Sequence, residues 1–280
     1  MRCTKAIIPV AGYGTRRLPI TKAVEKAMLP ILNRPVIDYV VEDCIKAGIT
    51  DIYFVVSGEA QQIRDYYSRI SKLEAYLHVS GKDAMIPSVQ PPQDVQFHFV
   101  EQDTSVGAPH GTAIPVALCR QFISDDEHFL VLMGDDFIYN TDGSSEVSRL
   151  MEYVADTGGS ALLGAEIDPA AVSKYGVLAT HTENGRMLFD YIQEKPQVDE
   201  AKSNLINISK YLLETSFFAY LDAAVQKDSG GAEYYITDPL NAYVADGNQM
   251  HVVPVRGTYL DSGTVENWLY ANNFIAEHQR

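Results

Sequence analysis

Apolar positions along this chain fall into two alternating rhythms, one with the period of a helix and one of short continuous runs. Ala6 to Val10 is such a run and reads as a strand buried on both faces, as does Asp51 to Ser57. Between them, apolar residues at 36, 37, 40, 41, 44 and 45 keep helical spacing, with Pro35 suited to the first turn and Gly48 to the C-terminal cap. The same reading predicts helices over 60–70 and 114–121, within 143–158, over 214–227, from 236 onward and over 265–279. Strands are expected over 95–101, 128–133, 160–166, 174–178, 203–213 and 250–256. Residues 73–90 interrupt the alternation as an amphipathic surface helix with a loop, and Ser229-Gly230-Gly231 reads as a flexible break. In the closing helix, Val265, Trp268, Leu269 and Ile275 share a stripe expected to pack on the sheet.

Strand, helix, strand, helix in this order implies an α/β protein with parallel strands joined by right-handed crossovers. A ligand is then expected beyond the carboxyl ends of those strands. Length and composition agree with one substantial core: 280 residues, 46% hydrophobic, with no apolar run long enough to span a bilayer. Met1 leads directly into the first strand, leaving no room for a signal peptide. The three cysteines, Cys3, Cys44 and Cys119, form no C-x-x-C pair, which points to a reducing cytoplasm rather than a disulfide framework.

Charge narrows the partners. A net charge of −15 argues against nucleic acid or an anionic membrane. Yet residues 1–34 carry Arg2, Lys5, Arg16, Arg17, Lys22, Lys26 and Arg34 against a single acid, Glu25. A basic island in an acidic chain suits a small anion. The first strand runs into Gly12 and Gly14, where a missing Cβ lets backbone N–H groups turn toward a ligand. Arg16, Arg17, Lys22 and Lys26 follow at once, so the stretch reads as a site for a nucleoside triphosphate. Arg17 stands where the third glycine of a dinucleotide fingerprint belongs, and no G-x-x-x-x-G-K-[ST] occurs; an NAD-dependent dehydrogenase is therefore disfavoured. Far along the chain, Asp135 and Asp136 stand at the carboxyl end of the 128–133 strand. A carboxylate there, opposite a cationic loop, is a hard oxygen ligand for Mg²⁺.

The complete pattern G-x-G-T-R-x-L-P-x-T-K-x-x-x-K-x-M-L-P, from Gly12 to Pro30, resembles the opening of the nucleotidyltransferases that make sugar nucleotides. The resemblance is strongest to bacterial UTP–glucose-1-phosphate uridylyltransferases, and it extends from Lys5 to the final helix. The 73–90 excursion also resembles a segment of the uridylyltransferases that is missing from their thymidylyltransferase relatives. The resemblance implies one nucleotidyltransferase domain over 1–280, with a Rossmann-like, mixed but mostly parallel sheet and helices on both faces. Residues 1–140 would mainly bind nucleotide, residues 141–264 sugar phosphate, and 265–280 would form the C-terminal helix. The implied reaction is UTP plus glucose 1-phosphate giving UDP-glucose and pyrophosphate, with Mg²⁺ as cofactor and no nucleic acid or membrane partner. A homodimer or homotetramer is expected.

Roles carry over by motif position. Ala11, Gly12, Gly14 and Thr15 would hold nucleotide, the first three through backbone, with Gln102, Gly107 and Gly111 at the base. Arg16 would face the leaving pyrophosphate, and Lys26 the phosphates undergoing transfer. Asp135 and Asp261 would hold Mg²⁺. Asp136, Gly176, Glu194, Lys195 and Asn204 would lie at the sugar phosphate. The nucleophile is a phosphate oxygen already ionised at neutral pH, so the chemistry requires charge screening and alignment rather than a general base.

The chain departs from the family pattern at two places, both concerned with the base. Ala27 replaces the usual Glu or Gln that helps hold the pyrimidine, and Gly107-Ala108-Pro109-His110-Gly111-Thr112-Ala113 differs from the common Gly-Leu-Gly-His-Ala. Use of dTTP, or of another sugar 1-phosphate, is thus an alternative. So is a non-catalytic sensor of sugar nucleotides, although such a protein is expected to have lost Arg16, Lys26 or Asp135.

Overall fold

The computed structural model describes residues 1–227 and 230–279. β1 (Lys5–Pro9) leads into three single 3-10 turns and a two-residue ladder of β2 (Pro30–Ile31) and β3 (Arg34–Pro35). α1 (Val36–Lys46), β4 (Asp51–Ser57), α2 (Gln62–Tyr66), α3 (Ser71–Val79) and β5 (Gln96–Gln102) follow, then α4 (Ala113–Leu118), β6 (His128–Leu132) and β7 (Asp136–Tyr139). The remainder is α5 (Glu146–Thr157), β8 (Ser160–Glu166), β9 (Gly176–Glu183), β10 (Arg186–Glu194), β11 (Leu205–Glu214), α6 (Phe217–Val225), α7 (Thr237–Ala245), β12 (Met250–Pro254), β13 (Thr258–Asp261) and α8 (Val265–His278).

Nine strands form one sheet in the order β5-β4-β1-β6-β11-β8-β12-β10-β9. β5, β4, β1 and β6 are parallel neighbours, while β11 and β10 are the two strands that run against the rest. The sheet is mixed, with most strands sharing one direction. Its apolar residues alternate between two cores: Ala6 and Ile8 of β1 face α1, α5 and α8, and Ile7 faces α4, α6 and α7. A strand sandwiched in this way must be apolar on both sides, which is why β1, β4 and β6 read as continuous runs.

Several boundaries differ from the periodicity for visible reasons. The 60–70 helix shrinks to α2, where buried Tyr67 turns inward to stack on Phe54 and lie tilted against Phe97, with ring centroids 5.0 and 4.5 Å apart. The helix expected over 114–121 ends at Leu118 and tightens into a 3-10 turn over Arg120–Phe122. The stripe expected in α8 is corrected: Val265 and Leu269 are exposed, and the helix packs through Ala271 and Ile275 with Trp268 and Phe274 beside them. The expected break at 229–231 falls partly outside the described residues, since Ser229 is not among them.

One irregularity positions the site. The pairing of β11 with β8 shifts between Asn207 and Tyr211, and Ser209 there has φ +53°. Below the shift β11 pairs with β6, and above it Leu205 and Ile206 reach past the end of β6 to pair with β8 and β9. The second half of the sheet is thus carried above the carboxyl edge of the first.

Candidate active site

A cavity of about 900 Å³ opens over the carboxyl ends of β1, β5 and β6. It is lined by the 9–16 segment, Lys26, Ala27, the 102–112 loop, the 133–136 turn, Ser209 and Glu233. Eleven of the residues expected from sequence meet there: Ala11, Gly12, Gly14, Thr15, Arg16, Lys26, Gln102, Gly107, Gly111, Asp135 and Asp136.

The glycine loop is shaped by its own packing. Gly14 has φ +63°, and a Cβ there would lie 3.0 Å from Cβ of Lys26, so this residue cannot be enlarged without moving the lysine. Thr21 Oγ1 donates to the Gly14 carbonyl at 2.9 Å. Glu25 accepts from the Gln62 amide at 2.6 Å, while Gln62 Oε1 accepts from the Glu25 amide at 2.9 Å. This reciprocal pair ties the segment carrying Lys26 to the start of α2. On the opposite wall, Tyr234 N–H donates to the His110 carbonyl at 2.8 Å and Ala113 N–H to the Tyr234 carbonyl at 2.9 Å. Gly111 has φ +113°, and a Cβ there would come within 2.5 Å of the Tyr234 backbone. The 107–112 loop is therefore closed against the segment preceding α7.

Lys26 Nζ and Asp135 Oδ2 form an ion pair at the cavity, with 17% and 27% of their side chains exposed. Burial alone would raise the Asp135 carboxyl, but Lys26, helped by Lys210 and Arg16, holds it below the ordinary carboxylate range. The basic loop and the acidic strand end therefore face each other across one cleft. The four clustered cations do not all do so. Arg17 is buried, donates to the carbonyls of Ser262 (3.4 Å) and Thr264 (2.5 Å), and lies over the Trp268 ring; it pins the entry to α8. Lys22 is exposed and is not among the cavity residues. Of the four clustered cations, only Arg16 and Lys26 line the cavity.

Asp136 is held differently from Asp135. Its carboxylate is buried between Lys210 Nζ, which ion-pairs with Oδ1, and the Tyr259 hydroxyl, which donates to Oδ2 at 2.9 Å. Burial, reinforced by the Asp135 charge, pushes this carboxyl up to about 6 against the pull of Lys210. Asp136 lines the cavity, and both of its carboxylate oxygens have protein partners. Neither Lys210 nor Tyr259 was singled out in the sequence. A lone lysine in an otherwise apolar strand (Leu-Ile-Asn-Ile-Ser-Lys-Tyr-Leu-Leu) was the available signal for the first.

Asp261 lies outside the cavity lining but beside it. It is the register partner of Asp136, and Ser262 donates to the Asp135 carbonyl through its amide (3.2 Å) and hydroxyl (2.6 Å). Its carboxylate accepts from Gly263 N–H at 2.6 Å and Asn267 Nδ2 at 2.8 Å, which orients it and leaves further lone pairs. A Cβ at Gly263 would lie 3.3 Å from the Arg16 guanidinium, so the Arg16 and Asp261 segments adjoin. Two carboxylates from clipped strand ends fit a hard divalent cation that takes its remaining ligands from substrate phosphates and water. Among the described residues no cluster of three or more acidic, histidine or cysteine side chains forms a protein-only cage.

The remaining expected residues cluster above. Gly176 and Glu194 are register partners, and a Cβ at Gly176 would lie 3.3 Å from Glu194 Oε1. Lys195 follows with φ +43°, its amide bonded to the Tyr175 carbonyl at 3.0 Å. Asn204 bonds the Ile167 carbonyl through Nδ2 at 3.4 Å and accepts the Ile167 amide at 3.1 Å through its own carbonyl. None of these four lines the cavity. Glu233, which does, was not anticipated.

The nucleotidyl transferase family model matches residues 5–278, and the chain belongs to that family. A UTP–glucose-1-phosphate uridylyltransferase of Staphylococcus haemolyticus is 36% identical over 259 residues, 89% of this chain and 87% of the relative. A solved UTP-bound UGPase from Acinetobacter baumannii superposes with a TM-score of 0.87 at 25% identity, covering 100% of this chain and 95% of that one. A solved UDP-glucose pyrophosphorylase complexed with UDP-glucose superposes with a TM-score of 0.82 at 29% identity over 100% of both chains.

Proposed function

We propose that this nucleotidyltransferase moves a uridylyl group from UTP to glucose 1-phosphate, giving UDP-glucose and pyrophosphate. The observation that supports the reading is the pairing of Lys26 with Asp135 at the cavity, which brings the cationic loop and the acidic strand end together in one cleft. A phosphate oxygen of glucose 1-phosphate attacks the α-phosphorus of UTP. The bond from that phosphorus to the bridging oxygen breaks, and pyrophosphate leaves in line. Both reactants are anions, so the protein's task is to bring them together and stabilise the charge of the transition state.

Backbone of Ala11, Gly12 and Gly14, with Thr15, holds the triphosphate, and Gln102, Gly107 and Gly111 hold the base. Arg16 faces the leaving pyrophosphate. The triphosphate replaces Asp135 as the partner of Lys26, leaving that carboxylate free, with Asp261, to hold Mg²⁺. The metal, when bound, supplies charge neutralisation on the phosphate oxygens. Gly176 offers backbone to the hexose, Glu194 accepts its hydroxyls, Lys195 offers an ammonium to its phosphate, and Asn204 steadies the neighbouring backbone. This division assigns nucleotide mainly to residues 1–140 and sugar phosphate mainly to 141–264. Three free, buried thiols at Cys3, Cys44 and Cys119 suit a reducing cytoplasm.

The test is pyrophosphate release from glucose 1-phosphate with each of UTP, dTTP, CTP, ATP and GTP, with and without Mg²⁺. Release is expected with UTP and is expected to require the metal. Tight binding of UDP-glucose with no release from any triphosphate would leave a sensor in place of the enzyme.

A further inference from the structure

Ser209 lines the cavity beside the 133–136 turn with φ +53°, in the left-handed region that a serine enters only at a cost. A glycine would make the same bend freely, so the side chain calls for a reason. Local hydrogen bonding does not supply one. The Ser209 amide donates to Asn207 Oδ1 at 3.1 Å and its carbonyl accepts from Met133 N–H at 3.3 Å, and glycine would keep both of these backbone groups. The buried Tyr211 hydroxyl reaches Ser209 Oγ at 3.4 Å, but it has a nearer acceptor in Asn207 Oδ1 at 3.1 Å and receives Asn207 Nδ2 at 2.8 Å. Tyr211 is thus satisfied without the serine. Among the hydrogen bonds of the described residues, Ser209 Oγ donates none, which leaves its proton for a ligand in the cavity.

The position of Ser209 says which ligand that is. On one side its neighbour Lys210 pairs with Leu132 at the end of β6; on the other, Ile206 pairs with Val177, next to Gly176. The charges of Asp136 and Glu194 both bear on the Tyr211 hydroxyl behind it. Ser209 therefore stands between the groups proposed to hold nucleotide and those proposed to hold hexose. We propose that the Ser209 hydroxyl donates a hydrogen bond to an oxygen of the sugar 1-phosphate and so helps to select that substrate. The inference rests on the nucleotidyl-transfer reading, which supplies the substrate.

The experiment compares wild type, Ser209→Gly and Ser209→Ala by pyrophosphate release, with UTP and glucose 1-phosphate varied in turn, and by urea melts. Both variants are expected to raise the KM for glucose 1-phosphate about fivefold, the effect of losing one neutral hydrogen bond. The KM for UTP and kcat should stay nearly unchanged, because the bond is made alike in the ground and transition states. Ser209→Gly, freed of the left-handed strain, is expected to have a higher urea midpoint than wild type, and Ser209→Ala is not. A serine kept for the fold predicts the reverse, with Ser209→Gly less stable and the KM for glucose 1-phosphate unmoved. An unchanged KM for that substrate in Ser209→Ala, an equal rise for both substrates, or a lower midpoint in Ser209→Gly overturns the proposal. A rise confined to Ser209→Gly would come from a loosened bend and overturns it too. Wild type that releases no pyrophosphate from UTP and glucose 1-phosphate would instead defeat the underlying reading of the site.

Discussion

On the side of the cleft proposed to hold nucleotide, three parallel strands deliver their groups directly from their carboxyl ends: Ala11 to Arg16 after β1, Gln102 from β5 and Asp135 after β6. On the side proposed to hold the hexose, Gly176 opens β9, Glu194 closes the reversed β10, and Asn204 precedes the reversed β11. The first group converges on one cavity, while none of the second lines it, and its strands are placed by β11, which outruns β6 and shifts register around Ser209. The contrast shows two ways of building a site. Strand ends of a parallel sheet share an edge by topology, whereas the hexose side depends on the register of antiparallel pairs and on a single bend.

Perturbing each side should separate the two. The largest effect is expected on the nucleotide side: Asp135→Ala should lower kcat by about a thousandfold while leaving a native circular dichroism spectrum, because it removes charge stabilisation from the reacting phosphates. Wild-type turnover in that variant would break the comparison at its base. Gly111→Ala should come next, since its Cβ would strike the Tyr234 backbone and its φ of +113° disfavours any side chain. A rise in the KM for UTP of about tenfold is expected, with the KM for glucose 1-phosphate nearly unchanged.

The hexose side should answer with the reverse signature. Glu194→Gln is expected to raise the KM for glucose 1-phosphate about tenfold, the cost of weakening a charged hydrogen bond, and to spare UTP. Equal loss for both substrates would show that the two sides are not separable. Ala27→Gln should have a smaller effect, restoring an amide where the family usually has one; the KM for UTP should fall a few-fold. Initial rates at varied UTP would detect it.

The smallest expected effect lies outside the cleft. His251 is 2% exposed on β12 with neither ring nitrogen hydrogen-bonded among the described residues, and burial together with Arg186 lowers its pKa from 6.5. The unfolded chain takes up this proton first as pH falls, so the contribution of His251 to stability should be constant above about 6.5 and decline below it. His251→Phe should flatten that decline in urea melts compared at pH 7.5 and 5.5, without altering activity at pH 7.5.

Much of the fold was legible in sequence because burial on both faces leaves its mark residue by residue. Asp51–Ser57 and Ser160–Glu166 were read to the residue, as uninterrupted runs bounded by polar or turn residues. The sequence placed Gly12, Gly14, Arg16, Lys26 and Asp135 at the ends of predicted strands, and the sheet brings them to one cavity. Where a side chain's role depends on its neighbours across the sheet, the reading ran out. Arg17 looks like Arg16 in the sequence, and only the position of α8 turns it away from the cavity. Asp136 looks like Asp135, and only Lys210 and Tyr259 draw it down. Val265 and Leu269 keep helical spacing with Ile275, yet the axis of α8 leaves them exposed.

By itself, the sequence determined which segments are strands, which are helices, and where backbone amides, cations and carboxylates leave the sheet. These properties follow from local periodicity and turn chemistry within a few residues. The tertiary structure alone decided which of two adjacent like charges faces the cleft. That choice is made by partners 74 to 247 positions away, whose contact depends on sheet register and helix packing rather than on any spacing along the chain.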